Sequence, residues 1–254
     1  MPAKNRHYRG AVEALANREY ERAGDCYTRS GWATLADPRE GLDPFSIDEN
    51  GWVGRGLQAL TAAVVAYRVA GRPERATDRA REGVAVASDF ATTADRPVQA
   101  ACLREFVADF RLTGGLDGPS EAYQEVETSY EAAANTVEQP QSWATTPLFE
   151  AAAATLKQVA RGTANGEIAV RWEDLHGSDP SRAGSFLAHR AQFKRQRFAS
   201  LLEQTLSKGY LAAPRGTTEY GNEQYQCPSC HADDVNWTGE SVLCLRCSTP
   251  MRRE

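Results

Sequence analysis

Within its last thirty residues the chain places four cysteines as two C-x2-C pairs, Cys227–Cys230 and Cys244–Cys247, with thirteen residues between them. Two residues between cysteines let both sulfurs of a tight turn face one centre, with backbone N–H groups aimed at the thiolates. Two such turns supply four sulfurs in a tetrahedron, the arrangement Zn²⁺ takes at about 2.3 Å per ligand. The insert fits two short strands: Val235-Asn236-Trp237-Thr238 alternates, Gly239-Glu240 turns, and Ser241-Val242-Leu243 returns to the second pair. Disulfides or chance explain paired C-x2-C spacing poorly, so one Zn²⁺ per chain is expected. Four thiolates leave no open position for water, which makes the ion structural and not catalytic. A module of this size has too little core to fold unaided, so metal binding supplies the missing free energy. His231 could replace a sulfur, but with four thiols at hand it is expected to be solvent-exposed.

Residues 225–249 resemble the zinc ribbon family, with Cys227, Cys230, Cys244 and Cys247 matching its ligands one for one. The family commonly has glycine after each cysteine pair; here those places hold His231 and Ser248. Iron is the alternative metal, since rubredoxin-like sites use a similar ligand set. Zinc ribbons often serve transcription and translation machinery, and others only hold protein surfaces together, so the resemblance leaves both roles open.

Residues 1–208 read as helix after helix. Alanine is frequent, β-branched runs are scarce, and Gly or Pro recurs at about every helix length. Helices are predicted over 5–17, 20–30, 54–70, 73–88, 97–113, 119–135 and 146–161, with a short one near 167–175 and a long one over 180–208. Asp179 and Pro180 are expected to cap the last. Leu60, Ala63, Val64 and Tyr67, then Gly71-Arg72-Pro73, then Ala76, Ala80 and Gly83 describe a hairpin whose small residues admit close helix approach. Gly10, Ala11 and Ala14 with Tyr20, Ala23, Tyr27 and Ser30 describe another. A third runs from Phe106 and Phe110 through a Gly114–Gly118 turn to Ala122 and Val126. This alternation resembles the tetratricopeptide repeat, but Ala23, Ala76 and Ala122 are spaced irregularly and far wider than its ~34 residues. A loop over 31–51, with the aromatics Trp32, Phe45 and Trp52, separates the first two hairpins. The expected fold class is mainly α: an irregular helical-hairpin, tetratricopeptide-like array (1–208), a linker (209–224) lacking an apolar period, and a small β zinc ribbon (225–254).

The charge is −5 overall, −7 over residues 1–176 and +2 over 177–254, which excludes a generally basic nucleic-acid coat but not a local basic patch. Arg182–Phe198 holds five cations and no acid: Arg182, Arg190, Lys194, Arg195 and Arg197. Interleaved with Phe186, Phe193 and Phe198, they are candidates for nucleic-acid contact. At 100° per residue the charges do not separate from the aromatics, so a packed helix with snorkelling arginines is the competing reading. Cys26 and Cys102 are expected to be small buried packing residues. Glu173, Asp174 and His176 read as an exposed helix end, and no phosphate-binding loop, nucleophile elbow, kinase set or dinucleotide fingerprint occurs.

The charged N-terminal stretch lacks a signal-type apolar core, and the longest apolar run, Ala59–Ala66, is too short for a bilayer, so the expected setting is cytoplasmic without membrane contact. The function expected is a non-enzymatic adaptor that binds a protein partner through its helical surface, with the ribbon as a second contact module. The alternative is a nucleic-acid- or ribonucleoprotein-associated factor of transcription or translation, using the ribbon and the 182–197 helix.

Overall fold

A computed structural model describes residues 3–36 and 51–253. Consecutive helices pack on one another from α1 (Ala3–Ala16) through α2 (Tyr20–Leu35), α3 (Trp52–Val69), α4 (Pro73–Thr93) and α5 (Pro97–Gly114) to α6 (Pro119–Ala132), with short turns at each joint except that between α2 and α3. Two short elements, α7 (Pro140–Ala144) and α9 (Trp172–Leu175), flank α8 (Pro147–Thr163). The long α10 (Ala183–Lys208) then lies against α6 and α8. Five of these helices begin with proline at the first turn, where its missing N–H costs nothing and its fixed φ suits the helix. Gly115 and Gly209 close α5 and α10 in the left-handed conformation, as C-terminal glycines do. No helix among the described residues is long and apolar enough to cross a membrane.

The small residues expected to admit close approach are buried and do so. Ala23, Ala76 and Ala80 are fully buried. At Gly24 and Gly83 an added Cβ would lie 2.6 Å from the Tyr67 ring and 2.4 Å from the Phe110 ring. Large rings therefore fill the grooves that glycines open. Burying a ring such as Phe106 or Phe110 contributes about 1.5–3 kcal/mol.

Three expectations change. α2 runs to Leu35, so Trp32 lies on a helix, while Trp52 opens α3; residues 37–50, with Phe45, lie outside those described. α10 starts at Ala183 and not at Pro180: Asp179 instead accepts hydrogen bonds from the backbone N–H and hydroxyl of Ser181, forming a turn before the helix. The stretch read as a linker is docked and partly ordered into the sheet. Leu211, Ala212 and Ala213 are buried, and Thr217–Glu219 forms β1, antiparallel to β3 (Val235–Thr238), which pairs in turn with β4 (Ser241–Cys244). A second two-stranded sheet joins β2 (Tyr225–Gln226) to β5 (Arg252–Arg253).

Candidate metal centre

Each cysteine pair forms a turn closed by its own backbone. The Cys227 N–H donates to the Ala232 carbonyl and the His231 N–H to the Cys227 carbonyl; in the second turn the Cys244 N–H donates to Thr249 and the Ser248 N–H to Cys244. The chain can turn so sharply because the residue after each pair is left-handed, His231 at φ 60° and Ser248 at φ 58°. These are the two positions where zinc ribbons commonly carry glycine, and an ordinary side chain there carries a strain of about 1–2 kcal/mol. For Ser248 a compensation is visible: its buried hydroxyl accepts the Ala213 N–H at 3.0 Å and lies 3.1 Å from the Tyr210 hydroxyl. His231 is exposed, as expected.

The four sulfurs converge. Cys227 and Cys247 Sγ lie 3.5 Å apart, Cys230 and Cys244 Sγ 3.5 Å, Cys230 and Cys247 Sγ 3.6 Å, and all four fall within 4.8 Å of one another. A tetrahedral ion with ~2.3 Å bonds requires sulfurs about 3.8 Å apart, so the donor set fits a tetrathiolate metal ion. Backbone N–H groups of Ser229 and Cys230 point at Cys227 Sγ from 3.4 and 3.5 Å. The hydrogen bond shared by the two thiols lowers Cys247 and raises Cys244, and the Thr249 hydroxyl lies 3.2 Å from Cys247 Sγ. Cys227 and Cys244 are buried, Cys247 is half-buried and Cys230 exposed.

The helical body grips this module through buried polar contacts. Arg161, on α8 and 3% exposed, donates to the carbonyls of Gly166, Ala213 and Leu245. Burial lowers its pKa to about 10, which still leaves it charged at neutral pH. Arg18 reaches the Cys247 carbonyl at 3.0 Å while its guanidinium lies 4.1 Å from the Tyr210 ring centre. Gly166, at φ 82°, passes so close that a Cβ would stand 1.8 Å from the Leu245 carbonyl oxygen. Val12, Ala16, Ala213 and Leu243 make a small apolar seam between α1 and the C-terminal strands. Arg246 completes the joint by pairing with Asp234 and Glu167.

The candidate nucleic-acid residues are not brought together on a surface. Arg190 is 2% exposed and Lys194 fully buried. Arg190 donates to both carboxylate oxygens of Glu105, at 2.8 and 2.7 Å, and to the Phe149 carbonyl. Lys194 Nζ lies 2.7 Å from Glu105, 2.6 Å from Asp109 and 2.7 Å from the Ala152 carbonyl. Tyr130 and Tyr123 donate to Glu105 and Asp109. Burial pushes Glu105 upward, but the Arg190 and Lys194 charges outweigh it and hold the group at about 2; burial takes Asp109 up to about 6. Arg190 and Lys194 are therefore withdrawn as nucleic-acid contacts, because their charges are spent inside the bundle. Arg195 pairs with Glu127, and only Arg182 and Arg197 stand exposed.

Cys102 is fully buried and its thiol is raised to about 12 by burial, while Cys26 is half-buried. His176 is 7% exposed and not at an exposed helix end. It stacks 3.7 Å from Trp172 and 5.4 Å from Phe186, and burial lowers its pKa to about 4. The sequence reading missed Arg161 and Gly166 altogether; the only signal for them was an arginine and a glycine beside a helix end.

The chain is thus a mainly α protein of packed helical hairpins that carries a C-terminal tetracysteine cluster able to hold a metal ion. Comparison with protein-family models, with curated proteins and with solved structures returns no match.

Proposed function

We propose that this protein is a non-enzymatic adaptor in which a tetratricopeptide-like helical array and a structural zinc ribbon, fused into one body, present a joint surface to a protein partner. The observation that carries this reading is the face where the two parts meet. Ile168 and Trp172 are 57% and 44% exposed there, bordered by Lys157, Arg171 and Arg215 in a cleft of about 460 Å³. Exposed tryptophan framed by arginine is the composition of protein-binding hot spots, where a few large side chains carry most of the affinity. A zinc ion with four sulfur ligands suits a rigid contact module, because it offers no site for substrate or water. Cytoplasmic residence fits free thiols kept for metal.

The nucleic-acid reading loses its main support with Arg190 and Lys194 buried, leaving the exposed Arg182 and Arg197 of the original set, with Arg252 and Arg253 of β5. Crosslinking with mass spectrometry on the tagged native protein separates the two. The adaptor reading expects a reproducible protein partner that Ile168→Asp and Trp172→Ala variants lose while retaining metal and helicity. Absence of such a partner, together with a salt-sensitive mobility shift of labelled RNA or DNA, overturns it.

A further inference from the structure

Where α1, α2 and α3 face the β3–β4 turn, the chain encloses a cavity of about 440 Å³, within the size range of small-molecule sites. Tyr8, Val12, Tyr27, Trp52, Ala59 and Ala62 give it an aromatic and small-apolar side, and polar side chains, Asn5, Thr34, Gln58 and Gln158 among them, complete the lining. Two buried hydrogen-bond donors on this wall, the Tyr27 hydroxyl and the Trp52 indole N–H, find no acceptor among the described residues. Tyr27 is 1% exposed and Gln158 beside it acts as a donor to the hydroxyl oxygen, so it is the O–H itself that is left without an acceptor. Leaving one such group unsatisfied costs about 1–3 kcal/mol, and two on one cavity wall call for an occupant that accepts hydrogen bonds.

The charges at the mouth indicate the sign. Glu240, the one carboxylate among the described lining residues, is paired with Arg9, whereas Arg55 adds a further exposed cation. From this juxtaposition of aromatic walls, two unanswered donors and a surplus arginine, we propose that the cavity is a binding site for a small aromatic carboxylate. The ring lies against Tyr8, Tyr27 and Trp52, and the carboxylate accepts from Tyr27 and Trp52 with Arg55 at the entrance. Thr238, Gly239 and Glu240 of the ribbon line the same cavity, so an occupant would touch both halves of the molecule. This proposal stands on the cavity alone and does not depend on the adaptor reading.

Calorimetric titration of the full-length, metal-loaded protein with 4-phenylbutyrate tests it. One saturable site per chain is expected, with 4-phenylbutanol, which lacks the charge, binding at least tenfold more weakly. Arg55→Glu, a surface change that leaves the core untouched, should weaken phenylbutyrate at least tenfold. Tyr27→Phe, which keeps the ring and removes only the hydroxyl, should weaken it about fivefold, the worth of one hydrogen bond. No saturable binding at millimolar phenylbutyrate, or equal affinity in wild type and both variants, overturns the proposal. Partner capture by the Ile168 and Trp172 face is read separately and is expected to survive both variants.

Discussion

Two regions of this molecule each bring four ionisable side chains together, and they balance them in opposite ways. In the helical core, Glu105 and Asp109 meet Arg190 and Lys194, so two negative charges face two positive ones and the tyrosines of α6 satisfy the remaining carboxylate oxygens. That cluster is electrically closed. In the tail, four thiols converge with only backbone N–H groups and one hydroxyl aimed at them, and it remains open until a cation enters. The contrast separates a cluster that balances its own charge from one whose four sulfurs could take up a metal ion.

The largest effect should follow from breaking the open cluster. Cys244→Ser/Cys247→Ser removes two of four sulfurs, and structural zinc is worth about 10–16 kcal/mol to a small module. Limited proteolysis should then cut rapidly between residues 217 and 253, while circular dichroism retains most of the helix signal.

Breaking the closed cluster should cost less but reach the whole helical core. Lys194→Met leaves Asp109 without its cation and lowers stability by about 3–5 kcal/mol in urea unfolding. The double change Asp109→Leu/Lys194→Met removes both charges and should recover most of that loss, as replacing a buried pair with apolar groups often does. If the double variant is as unstable as the single one, the network is valued for packing and not for charge balance.

The joint between the regions ranks third. Gly166→Ala drives a Cβ into the Leu245 carbonyl at a left-handed position and should cost about 1–3 kcal/mol. Amide exchange should quicken around 241–247 with metal content unchanged.

The smallest effect concerns pH. His176 is held neutral, its pKa lowered from 6.5 to about 4 by burial. The unfolded chain therefore binds more protons than the folded one between those values. The stability from this group is complete above about pH 6.5 and is lost as pH falls toward 4. Asp109, raised to about 6, acts in the opposite sense over part of that range. His176→Phe should reduce the stability lost between pH 6.5 and 4 by about 1–2 kcal/mol after allowance for solvent screening.

Much of the helical body was legible because its signals are local. Prolines mark the starts of α4, α5, α6 and α8, and left-handed glycines mark the ends of α5 and α10. The convergence of the four cysteines was legible because two residues between cysteines allow few other geometries. The buried network was not, since Arg190 and Lys194 each find an acid 85 residues away, and cations at those spacings read equally as a surface. β1 escaped notice because Thr217-Thr218-Glu219 has no apolar alternation: it earns its place by pairing with β3 and not by burial. Asp179-Pro180 gave a valid start signal that the chain spends on a turn, three residues ahead of the helix.

Elemental analysis joined to amide exchange, before and after stripping metal with a chelator, tests the central claim most directly. The account predicts one zinc equivalent per chain and slow exchange across 235–244, lost on chelation while 98–114 stays protected. A tail that remains protected with far less than one metal per chain would contradict it.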